Sequence, residues 1–464
     1  MGDFYGLPGT PGRLMKQQAP ASAIEVGFPL WGRSIAWLLF LGPFFFLSYG
    51  FSNHLAAEKA VTDAVFFDWE RNIPFLPWTI LPYWSIDLLY GLSFLLCRSR
   101  MQVDRHALRL LTAQLVSVSF FLAFPLHYAF ERPHVDGLFG AMFDALMGFD
   151  QPYNQAPSLH ISLLVILWVR FASSVSAPWR MLVHLWAVLI GLSVMTTFQH
   201  HFIDIPTGIL VGLLCLWLWP DRGQSPLAGG DFVPTSRHFR VAAYYLLGAF
   251  VLAGLAQGIG GAALWLWWGA AALGLVELIY ARSGAAGFQK QDGRHSLSVA
   301  ILLAPYVLGA WLNSRWWTRR HLATDNILDD VWLGRLPSAG EMRSGGFSTL
   351  CDFTAELPAP RGDWRYTGLA WLDMVPPDVS QLIEAARLIE SSRIHGPVLV
   401  CCALGYSRSA CAVLAWLLLT GRVQNLDAAE AMLREKRPQV VLSPAHRAAL
   451  AELTHVARAG ALHA

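Results

Sequence analysis

The sequence predicts a multi-pass all-α membrane domain followed by a C-terminal α/β domain, a central sheet with flanking helices. Three observations carry this expectation. Hydrophobic residues make up 55% of the 464 and charged residues only 14%, with a mean hydropathy of +0.41; ordinary soluble domains carry about 25% charge. The apolar residues gather into long runs before position 318. From 319 onward short β-branched runs alternate with helical patterns, as in a soluble α/β domain. So long a chain exceeds a single domain. A formal charge of +2 without a basic run argues against nucleic acid as a partner. Six cysteines, none in metal-ligand spacing, give neither a disulfide framework nor a metal site, and no cofactor is implied.

Residues 1–32 are aperiodic and contain Gly and Pro, which predicts a disordered N-terminus. Arg13, Lys16 and Arg33 precede the first apolar run, which lacks a small-residue cleavage site. An anchor with a cytoplasmic N-terminus is therefore expected, not a signal peptide. Nine apolar segments follow, at 34–52, 73–97, 110–126, 159–172, 181–198, 203–219, 241–258, 261–280 and 297–312. Most approach the roughly 20 residues that cross a bilayer as a helix. The first six define a domain over 33–220, and 221–318 add further membrane helices. Alternate connections are basic (Arg98, Arg100 and Arg105; Arg170 and Arg180; Arg222, Arg237 and Arg240), which places them in the cytoplasm of an inner, plasma-type membrane.

The opposite connections hold the unusual polar residues: ERP at 131–133, DQPYNQAPSLH at 150–160 and QHHFID at 199–204. Imidazoles and a carboxylate at hydrophobic helix ends are expensive unless paired or functional. His200 and Asp204 stand at i, i+4 and would meet on a helix face. A carboxylate on one imidazole nitrogen fixes the tautomer and makes the other nitrogen a better nucleophile. His160 comes from another helix as a candidate acid, and Arg132 would neutralise phosphate oxygens. Interfacial histidines that merely cap helix ends are the alternative.

This pattern resembles the type 2 phosphatidic acid phosphatase superfamily over roughly 30–220: Arg132-Pro133, then Pro157-Ser158-Leu159-His160, then His200 with Asp204. The resemblance implies His200 as the phosphate-accepting nucleophile or base, Asp204 as its orienter, His160 as proton donor, and Arg132 and Ser158 as substrate contacts. Two positions depart from it. Pro125 replaces the expected lysine, and Ser193-Val194 stand where Ser-Arg is expected. In this the region looks like the inositol-phosphorylceramide-synthase branch, whose members move a phospho-headgroup between lipids. The implied partner is a membrane lipid.

Spans seven to nine are rich in glycine, which suits close helix packing. Nine crossings from a cytoplasmic N-terminus would put the C-terminal domain outside. A thiolate persists best in a reducing compartment, so a cytoplasmic domain is favoured, with one segment such as 297–312 re-entrant.

In the C-terminal domain, 319–464, strands are expected at 331–333, 348–352, 365–372 and 398–401, and helices at 378–391, 409–419, 426–435 and 444–457. Its centre is VLVCCALGYSRSA at 398–410, an apolar strand, a glycine-containing turn and a helix N-terminus. Backbone N–H groups converge there on an anion. Cys402 opens the loop and Arg408 closes it, with five residues between. The helix end and the guanidinium favour the thiolate, and Arg408 can hold phosphate oxygens bidentately. A buried structural cysteine in an ordinary strand–loop–helix unit is the alternative.

Cys402-x5-Arg408-Ser409, with VWLGRLP at 331–337 and LDMVPP at 372–377, resembles the dual-specificity branch of the cysteine-dependent protein tyrosine phosphatases, over roughly 325–464. The resemblance implies a cysteine phosphatase fold and a metal-free phosphocysteine mechanism. Cys402 would be nucleophile, Arg408 the phosphate ligand, Ser409 the aid to thiolate release, and Leu404, Gly405, Tyr406 and Ser407 the substrate-binding loop. Asp373 matches the general acid, with Asp378 as competitor. Cys401 stands where the family has histidine, setting a possible oxidation partner beside the nucleophile. The loop has no second cation, which leaves a phosphoprotein or a singly phosphorylated lipid headgroup as substrate. The expected protein is thus bifunctional. A membrane-anchored protein phosphatase with a non-catalytic membrane part, or a catalytically impaired scaffold, are the other classes.

Overall fold

The computed structural model describes residues 28–228 and 232–461. The chain divides into two compact units, one ending at Ser225 and the other running from Pro226 to the end.

The first unit contains α1 (Phe28–Glu58), α2 (Ile80–Ser93), α3 (Arg100–Ala123), α4 (Gly137–Met147), α5 (Leu159–Ser174), α6 (Ala177–Thr196) and α7 (Asp204–Leu218). Helix α1 starts at Phe28, so the segment expected to be disordered to residue 32 already includes a helical turn; residues 1–27 lie outside the described residues. The expected span at 73–97 is interrupted. Pro74 and Pro77 break its start, 3₁₀ turns occupy 77–79 and 94–96, and α2 takes the middle. Helix α3 begins ten residues before the apolar run, because its polar first half is buried with partners. Arg109 donates to the Trp219 carbonyl at 2.8 Å and pairs with Asp221 at 3.1 Å, and Arg170 joins the same carboxylate at 3.0 Å. Helices α5 and α7 pack closely because Gly208 and Gly212 face Ser158, Ile161 and Val165; a Cβ on Gly208 would lie 2.6 Å from the Ser158 carbonyl.

The second unit begins with α8 (Ser236–Ile259) and α9 (Leu266–Leu278). Gly248 and Gly269 let these two approach, each Cβ position lying 3.0 Å from a leucine methyl of the other helix. The apolar segment expected as one helix at 297–312 is instead α10 (Leu297–Leu302) and α11 (Ala304–Thr318), divided where Pro305 starts the second. Among the described residues, six helical stretches are long and apolar enough to cross a membrane, in α1, 77–96, α3, α6, α8 and 261–288. Helices α4, α5 and α7 are shorter.

The α/β part follows: β1 (Thr324–Leu328), β2 (Val331–Arg335), α12 (Ala339–Ser344), β3 (Thr349–Asp352), β4 (Arg365–Gly368), α13 (Val379–Arg393), β5 (Val398–Cys402), α14 (Arg408–Leu419), α15 (Leu426–Lys436) and α16 (Pro444–Ala461). The sheet order is β1-β2-β5-β3-β4, with β1 antiparallel and the rest parallel. Strand β5 is central and fully buried, as its unbroken apolar run requires. Strand β1 and helix α12 escape sequence reading because both are short and polar. The strand expected over 365–372 ends at Gly368, where a Cβ would strike the Asp352 carbonyl at 2.4 Å.

Candidate active site

Cys402 is the last residue of β5, and α14 starts six residues later, so the connection is a loop between a buried strand and a helix N-terminus. Gly405 at its centre has φ +76, and a Cβ there would meet the Gly334 carbonyl carbon at 2.4 Å. Only glycine satisfies both demands. The Gly405 N–H donates to Cys402 Sγ at 3.2 Å, and the Ser409 hydroxyl donates to the same sulfur at 3.1 Å. These donors stabilise negative charge on sulfur. Among the described residues no side chain caps the first turn of α14, so its N–H groups are open to an anion.

Arg408 is 2% exposed. Its guanidinium donates to both oxygens of Glu356, at 2.8 and 2.5 Å, and to the Trp371 carbonyl at 2.9 Å. Nη2 also lies 3.2 Å from Asp373 Oδ1, and the Asp373 side chain is 38% exposed, hence open to a substrate. Burial penalises the Arg408 charge, but the Glu356 carboxylate outweighs it and holds the pKa well above the ordinary arginine value. Reciprocally, burial works against the Glu356 charge, yet Arg408 holds that carboxyl below the usual range. Asp378 sits elsewhere, capping α13 by accepting from the Gln381 N–H at 2.8 Å. Of the two candidate aspartates, Asp373 is the one at Arg408.

The other loop side chains turn away from the sulfur. The Tyr406 hydroxyl donates to the Trp317 carbonyl at 3.2 Å, and the Ser407 hydroxyl donates to the Val441 carbonyl at 2.8 Å. Their contribution to an anion is therefore through backbone N–H groups. Leu404 lines a neighbouring cavity. Cys401 belongs to a different apolar cluster from Cys402, on the opposite face of β5. Successive strand residues point to opposite faces, so Cys401 is not placed as an oxidation partner. Burial raises the Cys401 pKa well above an ordinary thiol's.

Several supporting residues carry no sequence signal. Buried Arg437 donates to the Gly405 carbonyl at 3.0 Å and pairs with Asp325 at 2.5 Å, bracing the loop from beneath. Lys290, between α9 and α10, donates to Asp352 at 2.6 Å and to the Thr354 carbonyl at 2.8 Å. From the apolar helices, Ser314 donates to the Ala403 carbonyl at 2.5 Å and Tyr280 to the Asp373 carbonyl at 3.1 Å, while Arg237 donates to the Met374 carbonyl at 2.5 Å. The loop after Cys402 and the loop at Asp373 are thus both anchored to α8, α11 and the segment after α9. Long-range pairs of this kind leave no periodicity in a sequence.

In the first unit His200 Nδ1 lies 3.1 Å from Asp204 Oδ2, whose carboxylate also accepts from the His201 N–H at 3.1 Å. The pair forms across the turn before α7, not on a helix face, because Asp204 is the helix's first residue. The Ser158 N–H donates to the Asp204 carbonyl at 3.2 Å, which joins the start of α5, and so His160, to the start of α7. His160 stacks on Tyr83 at 4.1 Å, and its Nε2 is buried with no hydrogen-bond partner among the described residues. Tyr83 and Tyr49 donate to Asp150 at 3.0 and 2.6 Å, a carboxylate the sequence motif contained but did not single out. The Ser158 hydroxyl caps α5. Arg132 donates to the Thr197 carbonyl at 3.2 Å and covers the Phe143 ring. His201 is satisfied by Glu70 at 3.0 Å and the Ala129 N–H at 3.0 Å, a structural role.

The family model described as the dual specificity phosphatase catalytic domain matches residues 372–455. No curated protein matches the chain. Among solved structures, Tk-PTP in its active form is 28% identical, covers 29% of this chain and 97% of its own, with a TM-score of 0.27. PTPMT1 in complex with PI(5)P is 18% identical, covering 30% of this chain and 99% of its own (TM-score 0.28). Human DUSP28 is 20% identical over 29% of this chain and 98% of its own (TM-score 0.27). The C-terminal α/β region is a dual-specificity-phosphatase-type catalytic domain.

Proposed function

We propose that the chain is a membrane-inserted enzyme with two phosphate-handling sites, a phosphomonoester hydrolase at Cys402 and a lipid phospho-headgroup site at His200. The observation that carries the first is the assembly of Cys402, Arg408, Asp373 and Ser409 around one loop. In the first step the Cys402 thiolate attacks phosphorus, and the bond from phosphorus to the leaving oxygen breaks. The Asp373 carboxyl gives that oxygen its proton, while Arg408 and the loop N–H groups hold the other phosphate oxygens. In the second step water attacks the phosphocysteine, Asp373 takes its proton, and the phosphorus–sulfur bond breaks. The Ser409 hydroxyl stabilises the departing thiolate. No metal takes part in either step.

The second site is supported by the His200–Asp204 pair and by the buried Nε2 of His160 at the adjoining helix start, which has no partner among the described residues. It would cleave or transfer a phosphate-linked lipid headgroup, with His200 attacking or acting as base and His160 as acid. Insertion in a plasma-type membrane is supported by the six long apolar helices. The C-terminal domain then faces the cytoplasm, where a free thiolate persists.

The test uses the full chain in lipid nanodiscs with p-nitrophenyl phosphate and with a panel of phosphodiester phospholipids, which carry no phosphomonoester for Cys402. Cys402→Ser is expected to abolish release from the aryl phosphate and leave headgroup turnover, and His200→Ala the reverse. Headgroup turnover that is absent from the wild type, or intact in His200→Ala, refutes the second site.

A further inference from the structure

A cavity of about 430 Å³ adjoins the phosphatase site, and its walls come from both parts of the second unit. At one end stand Glu356 and Asp373, with Ala403 and Leu404 of the catalytic loop; the rest is α8, α9 and α11. Leu252, Leu273 and Pro305 give it apolar walls, and Tyr245, Tyr306 and Asn313 are its polar members among those helices. Gly309 opens it, because nothing lies within 4 Å of the position a Cβ would take. The volume falls within the roughly 300–1,000 Å³ of small-molecule sites.

Resting on the phosphatase reading above, the geometry points to a substrate class: a lipid bearing one phosphomonoester, its hydrocarbon part lying among α8, α9 and α11 while its phosphate reaches Cys402. Three observations converge on it. A peptide entering this cavity would bring backbone polar groups against leucine and proline walls, and each one left unpaired is costly; an acyl chain brings none. Tyr245 and Tyr306 line the cavity with their hydroxyls 3.5 Å apart, polar groups suited to glycerol or ester oxygens next to the phosphate. The other faces of the same helices are exposed and apolar, with Leu247, Phe250 and Leu255 on α8 and Leu308, Trp311 and Leu312 on α11. Such faces match a bilayer's hydrocarbon, so the lipid reaches the cavity sideways from the membrane.

Charge limits the headgroup to a single phosphate. Arg408 is the cation of the loop, while Lys290 is paired with Asp352 and Arg437 with Asp325. A second phosphate would meet the carboxylates of Glu356 and Asp373.

The experiment uses the full chain carrying His200→Ala, which removes the other proposed site, in nanodiscs. It compares diacylglycerol phosphate, glycerol 3-phosphate and a phosphotyrosine peptide, with p-nitrophenyl phosphate as the class control. The expected result is a kcat/KM for the diacyl substrate at least about 100-fold above the acyl-free one, reduced at least about tenfold by Gly309→Phe. A photoactivatable acyl analogue bound to the Cys402→Ser protein should label α8, α9 and α11, competed by unlabelled lipid. Equal turnover of glycerol 3-phosphate or of the peptide overturns the inference, as does labelling spread without competition over other exposed helices. Cys402-dependent p-nitrophenyl phosphate hydrolysis with no lipid advantage sinks this inference alone. Silence towards p-nitrophenyl phosphate removes the phosphatase reading and this inference with it.

Discussion

Arg408 shows what a single side chain must satisfy at this site. It has to remain charged while almost fully buried, and Glu356 supplies the counter-charge. The Glu356 carboxyl is depressed below its ordinary value, so its stabilisation is complete above the unfolded carboxylate pKa of about 4.3. That stabilisation is lost as pH falls through the lower folded value. Glu356→Gln should therefore flatten the acid limb of the stability curve, measured by thermal unfolding between about pH 3 and 6. Glu356→Ala, which leaves the guanidinium uncompensated, should cost about 3–5 kcal/mol at neutral pH. In the proposed mechanism Asp373 protonates the leaving oxygen. Asp373→Asn should lower kcat about 10²–10⁴-fold for an alkyl phosphate, and much less for p-nitrophenyl phosphate, whose leaving group needs no proton. An equal loss on both substrates would remove the acid role. Cysteine, arginine, serine and aspartate were legible in the sequence because the loop puts three of them within eight consecutive residues. Glu356 was not, since its partner lies 52 positions away and no local pattern marks it.

Among the elements, the loop between β5 and α14 depends on two glycines in contact. Gly405→Ala adds a left-handed strain of about 1–2 kcal/mol to a clash with the Gly334 backbone. The expected outcome is loss of both activity and domain stability, read by phosphate release and thermal unfolding; a fully active Gly405→Ala protein would contradict the geometry. Strand β5 and helices α13 to α16 were readable from apolar runs and caps. Strand β1 was not, because pairing with β2 forms it against weak local preference, and α12 was not because it is only six residues long, despite its Ser338–Glu341 capping box. The same limit applies to the apolar segments. Hydropathy located them, but the break at Pro305 and the 3₁₀ turns around α2 are backbone effects that an average over many residues hides.

Over the whole molecule, the boundary that composition suggests at 319 does not coincide with the compact units, since helices from 226 onward pack with the α/β part. Ser314, Tyr280 and Arg237 hold the loops at Cys402 and Asp373 from that side, and Lys290 holds the end of β3. A fragment starting at Asp325 should lose at least about tenfold in kcat relative to one starting at Pro226 in detergent, each missing hydrogen bond being worth about 1 kcal/mol. Equal rates would show the helices to be tethers only. In the first unit the histidine motif was legible, whereas Asp150 with Tyr49 and Tyr83 emerged only once α1, α2 and the 150–158 segment came together.

The most direct test of the central chemistry is to trap the phosphoenzyme. The full chain would be mixed rapidly with p-nitrophenyl phosphate, quenched in acid, and the peptide containing Cys402 analysed by mass spectrometry. The account predicts a burst of p-nitrophenol matched by one phosphoryl group on Cys402, with neither seen in Cys402→Ser. Turnover without phosphorylation of that residue, or turnover undiminished in Cys402→Ser, would contradict it.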